Sequence, residues 1–278
     1  MRNPRLVILL LMGGWLATGA ASAFELQGEA IQGGLMFGKT APGSRVTLDG
    51  SPVMVSPKGI FVIGFGRDDT GVRHLSVVPP GGKPEQRDLH IAPHEYRIER
   101  IDGLPPETVT PPPEVLERIH KEAEMVAEAR ARRDQRDDFS AGFKWPANGR
   151  LSGFYGSQRI LNGEPRRPHY GVDVAAPVGT PVHAPAAGVV TLADPDMYYS
   201  GGTIVLDHGM GLSSSFLHLS KILVAVGQRV QQGDLIGLIG STGRATGPHV
   251  DWRMNWLDKR VDPERLVGAM PNEDTETH

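Results

Sequence analysis

Three short segments concentrate the side chains that could bind a metal ion or move a proton: HYGVD (169–173), FLHL (216–219) and GPHVDW (247–252). Imidazole and carboxylate are ligands for divalent cations, and imidazole is the side chain that most readily exchanges protons near neutral pH. The chain has no cysteine. A disulfide scaffold, a thiol nucleophile, a thiolate metal site and a lipoprotein acylation site are therefore excluded. Catalysis has to come from His, Asp, Glu, Ser, Tyr or a metal held by His and carboxylates. The third segment reads as a β-strand. Side chains at i and i+2 share a face, so His249 and Asp251 point the same way. Arg253 and Asn255 continue that polar face, and Trp252, Met254 and Trp256 occupy the opposite, core-forming one. Two adjacent polar faces bearing His and Asp can form a divalent-metal site with donor distances of about 2.0–2.2 Å. A single His-x3-Asp pair such as His169 and Asp173 arises easily by chance, so the order of the three segments carries the argument.

The elements that must position these residues follow from the turn and alternation pattern. With 35 glycines, 23 prolines and 6% aromatics, the composition favours many short strands over long helices. Residues 172–174, 188–192, 203–207, 213–217 and 235–239 read as strands of a glycine-rich antiparallel β-domain over 141–268. Residues 24–100 read as a small β-sandwich, with strands at 44–48, 59–63 and 72–78 and a hairpin at Asp49-Gly50. Between them, 101–140 holds an extended proline-rich linker (LPPETVTPPP, 104–113) and a charged helix over 113–138. Pro113 suits its first turn, and Glu114/Arg118 and Glu117/Lys121 are i,i+4 pairs. The thin stripe Val115, Ile119, Ala123, Val126 fits light packing on a neighbour and a solvated spacer equally well. Residues 1–23 read as a secretory signal: Arg2 and Arg5, an apolar run over 6–16, and a small-residue cleavage site at Ala21-Ser22-Ala23. The tail 269–278 is polar and expected to be disordered. A formal charge of -3 excludes a basic nucleic-acid binder, and no second spanning segment is evident, so no stable transmembrane anchor is expected after cleavage.

Several other residues carry weaker signals. His208 reads as a structural strand-end residue, and His74, His90, His94 and His183 as surface or edge histidines. Tyr198 and Tyr199 lie in a Gly-flanked loop and could line a cleft or pack on its rim. Gly240, Gly243 and Gly247 supply turns and not a phosphate loop, since no Lys-Ser/Thr ending follows.

The order and wording of the segments make the reading specific. SGFYGSQR (152–159), HYGVDVAAPVGTPVHAPAAGVV (169–190), GGTIVLDHGMGLSSSFLHLSKI (201–222) and VGQRVQQGDLIGLIGSTGRATGPHVDW (226–252) resemble the lysostaphin/LytM-like zinc metallopeptidases. The resemblance covers residues 145–265, under half of the chain. It implies a mostly β fold of the duplicated hybrid motif type and one Zn2+ per chain. By it, His169 and Asp173 are zinc ligands, and His218 and His249 are catalytic beside the metal. The family's last motif is His-x-His, whose second histidine is the third ligand; here that position is Asp251. Two carboxylates and one neutral histidine bring the first shell to zero net charge and weaken the acidification of bound water. The alternative is an Asp251 paired with Arg253 and a weak or absent metal.

The implied activity is zinc-dependent hydrolysis of peptide cross-links in bacterial peptidoglycan, in the periplasm. Arg166, Arg167 and Arg253 could meet carboxylates of the peptide stem or stand as solvated charges, and Tyr198 and Tyr199 could be further substrate contacts. Two alternatives stay open. One is a weakened regulatory scaffold that activates another cell-wall hydrolase or acts with a divisome or elongation component. The other is a wall-binding or assembly protein working through residues 24–100. The sandwich and helix could also cover the groove until a partner binds.

Overall fold

A computed structural model describes residues 22–103 and 112–271. The expected signal segment up to residue 21, the proline-rich linker at 104–111 and the tail from 272 lie outside the described residues. The first half contains β1 (Phe24–Gln27), β2 (Leu35–Thr40), β3 (Arg45–Leu48), β4 (Ser51–Val53), β5 (Ile60–Gly64), β6 (Val72–Val78) and β7 (Glu85–His90). They form two antiparallel sheets, of order β1-β2-β5 and β4-β3-β6-β7. The β3–β4 turn is the Asp49-Gly50 hairpin, with φ of +49° and +77°, the left-handed pair that matches the twist of its strands.

β8 (Ile98–Ile101) leaves this pair of sheets and joins the second half. It runs parallel to β10 (Gln158–Leu161), which pairs with β11 (Glu164–Pro165). The remaining strands are β9 (Arg150–Gly153), β12 (Val172–Ala175), β13 (Pro181–His183), β14 (Gly188–Met197), β15 (Gly201–Gly209), β16 (Leu212–Ile222), β17 (Arg229–Val230), β18 (Leu235–Ile239), β19 (His249–Trp256) and β20 (Lys259–Val261). They make one sheet of order β17-β14-β15-β16-β19-β12-β9, with β18 and β13 branching from β16 and β20 from β19. The alternation of β19 is realised: Val250, Trp252, Met254 and Trp256 are buried in the core. That core is continuous with the core of the first two sheets, through Phe61, Ile63 and Leu75 on one side and Trp252, Trp256 and Val261 on the other. The join is also polar: Lys259 pairs with Asp69 at 2.9 Å, and the Asp262 amide donates to the Gly33 carbonyl at 2.8 Å.

The helix is shorter than the charge pattern suggests. A 3-10 turn at Pro113–Val115 leads into α1 (Leu116–Arg130), supported by Arg118 and Glu122 at 2.7 Å. Residues 131–138 are not helical, because other partners claim their backbone and charges. The Met210 amide donates to the Asp134 carbonyl at 2.7 Å, the Asp138 amide donates to His208, and Arg136 binds Asp207 and Asp138. Helix α1 is packed and not a solvated spacer. Met125, Val126 and Ala129 cover Leu192, Met197 and Val205 of β14 and β15.

Candidate metal centre

The site is built on β12 and β19, which pair antiparallel with Asp173 directly opposite Asp251. His169 precedes β12 and is clamped by its backbone: its amide donates to the Ser157 carbonyl at 2.9 Å, and its carbonyl accepts from Gly156 at 2.7 Å. The imidazole is thereby held over both carboxylates. His169 Nε2 lies 3.1 Å from Asp173 Oδ1 and 3.2 Å from Asp251 Oδ2. All three residues are buried. Burial alone would lower the His169 pKa, but the charges of Asp251 and Asp173 outweigh it and raise it.

Three features of this group fit a bound cation. His169 Nε2 and Asp173 Oδ1 face one another, yet both are buried without a hydrogen-bond partner. Buried polar atoms are otherwise almost always paired. The three donor atoms can be chosen within 4.8 Å of one another, and the two short separations approach the edge of a tetrahedron around zinc, about 3.3 Å for bonds near 2.05 Å. Finally, two glycines make room for the carboxylates. A Cβ on Gly153 would fall 2.1 Å from Asp173 Oδ2, and one on Gly171 would fall 2.2 Å from Asp251 Oδ1.

His218 reaches the site by an irregularity of β16. Phe216 faces Ile204 and Leu219 faces Gly202 across β15, so one residue is extra between them. A bulge of this kind re-aims a side chain. His218 sits in the left-handed region with φ +67°. Its ring centroid comes to 4.7 Å from that of His249. His218 Nδ1 is bonded to the Thr242 carbonyl and His249 Nδ1 to the Gly247 carbonyl, both at 2.8 Å. A carbonyl only accepts, so each Nδ1 carries the proton and each Nε2 offers a lone pair. Burial pushes the His218 pKa down to about 4, outweighing the opposing pull of Asp251. His249 Nε2 lies 3.8 Å from Asp173 Oδ1.

Asp251 has a second partner. Arg253 Nε lies 3.0 Å from both of its carboxylate oxygens, and Nη2 also donates to Oδ2. Burial would raise the Asp251 pKa, but Arg253 and His169 hold it well below the usual carboxylate range. The two roles weighed for Asp251 are therefore not exclusive in space: the oxygen nearest His169 is also the one Arg253 binds.

A groove of about 750 Å³ opens beside His169, bounded by α1 on one side and the β15, β16 and β19 face on the other. Arg166, Arg167, Tyr199 and Arg253 line it, and so do Arg130, Arg159, Arg244 and Arg260, which the sequence did not single out. Tyr198 turns away toward α1: its amide donates to Glu122 at 2.8 Å, and its ring packs on Tyr199 at 4.9 Å. Arg159, within the SGFYGSQR segment, reaches Asp173 Oδ2 at 3.4 Å. No spacing rule flags it, because β10 comes to the site through its parallel pairing with β8. His208 is fully buried between the Ala187 carbonyl and the Ser214 hydroxyl, both at 2.7 Å, a structural position away from the groove.

The family model for peptidase family M23 matches residues 167–263. A crystal structure from Pseudomonas aeruginosa, assigned to peptidase M23, is similar with a TM-score of 0.66 and 32% identity, over 87% of this chain and 96% of that one. The peptidoglycan DD-endopeptidase ShyA of Vibrio cholerae is 47% identical over 87 residues, 31% of this chain and 20% of that protein. The DD-carboxypeptidase/endopeptidase Mpg of Neisseria meningitidis serogroup B is 41% identical over 105 residues, 38% of this chain and 24% of that protein. This chain thus spans a fifth to a quarter of the length of these two curated relatives.

Proposed function

The chain belongs to peptidase family M23, and on that premise we propose that it is a zinc-dependent endopeptidase that hydrolyses peptide cross-links of bacterial peptidoglycan in the periplasm. The observation that carries this reading is the convergence of His169, Asp173 and Asp251, at 3.1 and 3.2 Å, beside two imidazoles with free Nε2 lone pairs. Zinc bound to these three donors would polarise the scissile carbonyl and make a water molecule more nucleophilic.

The chain's own groups supply the rest. His218 and His249 each present an acceptor to the attacking water, and one must carry its proton to the leaving nitrogen. Burial disfavours an imidazolium at His218. His249 is less deeply buried, and its Nε2 lies 3.8 Å from Asp173 Oδ1. His249 is therefore assigned the proton transfer. His218 is assigned the orientation of the water and, as the reaction proceeds, the contact to the developing oxyanion. Arg253 answers the charge problem posed by Asp251. Two carboxylates would cancel a dication, and the guanidinium on Asp251 returns one positive charge to the centre.

The same Arg253–Asp251 bond favours a second reading, a metal-poor regulatory scaffold that activates a separate wall hydrolase, since Arg253 and a cation compete for one carboxylate. One experiment separates them. Zinc content of the purified full chain is measured, and isolated sacculi are digested with and without a chelator. Fragments are then identified by mass spectrometry. Stoichiometric zinc and chelator-sensitive release of uncross-linked peptides are expected. A zinc-free protein that releases nothing even after zinc is supplied would leave the scaffold reading standing.

A further inference from the structure

The groove is more cationic than the metal site requires, and three of its arginines, Arg130, Arg159 and Arg166, come from outside the 167–263 family match. Arg130, the last residue of α1, enters the groove beside Arg253 and Arg260. Its Nε is buried without a hydrogen-bond partner, and its remaining contact is a long one, 3.4 Å from Nη2 to the Ser215 hydroxyl. Arg260 donates to the neutral Asn255 Oδ1 at 3.0 Å. Arg253 commits Nε and Nη2 to Asp251, leaving Nη1 as the donor it can still offer. Among the described residues, neither Arg130 nor Arg260 has a carboxylate partner within ion-pair distance. Glu122, the acidic residue of the groove lining, is already engaged by Arg118 and the Tyr198 amide.

Bringing three guanidiniums together in a half-enclosed space is costly unless an anion joins them. Arg130 bears that cost visibly: burial, Arg260 and Arg253 together hold its pKa well below the arginine range. Planar guanidiniums bind carboxylates through paired, charge-assisted hydrogen bonds. Resting on the endopeptidase reading, we infer that Arg130, Arg253 and Arg260 form a subsite for a free carboxylate of the peptide substrate, so that the enzyme selects stem peptides whose carboxylates are unblocked over their carboxamide forms. This gives α1 a role in recognition. Its apolar stripe on Leu192, Met197 and Val205 fixes Arg130 across from β19 and β20, so the helix completes a site that the large sheet alone leaves open on one side.

The test uses the zinc-loaded full chain and a synthetic stem peptide with no cross-link to cut, so that binding is read independently of hydrolysis. The peptide is made with every carboxylate free and with every carboxylate as carboxamide. Calorimetric titration should show the free form binding at least about tenfold more tightly, the scale of one or two charge-assisted hydrogen bonds. In Arg130→Gln that ratio should fall to within about threefold of unity. Lys121→Gln, the same charge change on the exposed face of α1, should keep it. Equal binding of the two forms by the unaltered protein, binding of neither, or an undiminished ratio in Arg130→Gln would overturn the subsite. Sacculus digestion by the same preparations is scored separately. Carboxylate preference without digestion would sink the endopeptidase reading and leave the subsite standing, and digestion without preference would do the reverse.

Discussion

Replacing Arg253 by methionine tests whether Asp251 depends on a counter-charge that zinc can replace. Asp251 is 1% exposed, and the Arg253 Nε sits 3.0 Å from each of its oxygens. Taking the charge centres as about 4 Å apart, a unit pair at an effective dielectric of 20 is worth about 4 kcal/mol. Removing one partner of a buried pair costs about 3–5 kcal/mol for the same reason. At roughly 2–3 °C per kcal/mol for a chain of this size, the metal-free variant should melt about 6–15 °C below the unaltered protein. His169 modulates the loss. Its pKa is raised in the folded state, so its imidazolium compensates Asp251 at low pH and ceases to as pH rises through that value. The deficit should therefore widen upward in pH. Saturating zinc supplies the missing positive charge, so the zinc-induced rise in Tm should be larger in Arg253→Met than in the unaltered protein. Differential scanning calorimetry in chelator and in zinc reads both. A chelated variant within 2 °C of the unaltered protein, or a zinc shift no larger than the unaltered protein's, would refute this account.

Other expectations follow from single contacts. Gly171→Ala places a Cβ 2.2 Å from Asp251 Oδ1 and 2.8 Å from the Trp252 carbonyl; zinc affinity, measured by competition with a chelating dye, should drop at least tenfold, and unchanged affinity would show that the carboxylate does not need this space. His218→Ala and His249→Ala should each lower sacculus hydrolysis by about 10²–10⁴-fold with an unchanged circular dichroism spectrum, and a fully active double variant would end the proposed mechanism. His208 is buried and its pKa is held down to about 4, below the unfolded value of about 6.5. Its neutral form thus contributes stability above pH 6.5 that is lost as pH falls toward 4. Relative to His208→Gln, the protein should lose about 3 kcal/mol across that window, and urea denaturation curves that keep a constant difference would contradict it.

Local alternation made part of the site readable. The i,i+2 rule puts His249, Asp251 and Arg253 on one face of β19 and its tryptophans in the core, and the structure has them so. The Asp49-Gly50 hairpin was equally legible, since its backbone conformation is written in two adjacent residue types. The same rule fails at His218. Strict alternation after Phe216 would carry a site-facing Leu217 into a core-facing His218; the extra residue in β16 and the positive φ turn the imidazole back. No local propensity encodes that, because the bulge is fixed by β15 on one side and by β18 and β19 on the other. Helix α1 ends early for a similar reason: within 131–138 the i,i+4 spacing sets Arg132 against Arg136 and Asp134 against Asp138, which gives a helix little support, and Asp207 and the β15 backbone claim these groups instead.

The residues that escaped the sequence are those whose partners are distant in it. Arg130 and Arg260 lie on charged segments that carry no motif. They meet beside the His169, Asp173 and Asp251 group because α1 docks on β14 and β15 while β20 pairs with β19. Asp251 is the converse case. Read alone, a carboxylate where a neutral imidazole is expected weakens the centre. Read with Arg253 two residues on, the substitution comes with its own countercharge, on the same face and in contact. Strand periodicity puts any i,i+2 pair on one face, so an aspartate followed by an arginine at that spacing keeps the net charge at one histidine's worth. A variant carrying Asp251→His with Arg253 unchanged should therefore hold one positive charge too many. It should bind zinc more weakly than Asp251→His combined with Arg253→Met, and the opposite order of affinities would mean that Arg253 acts on Asp251 by position and not by charge.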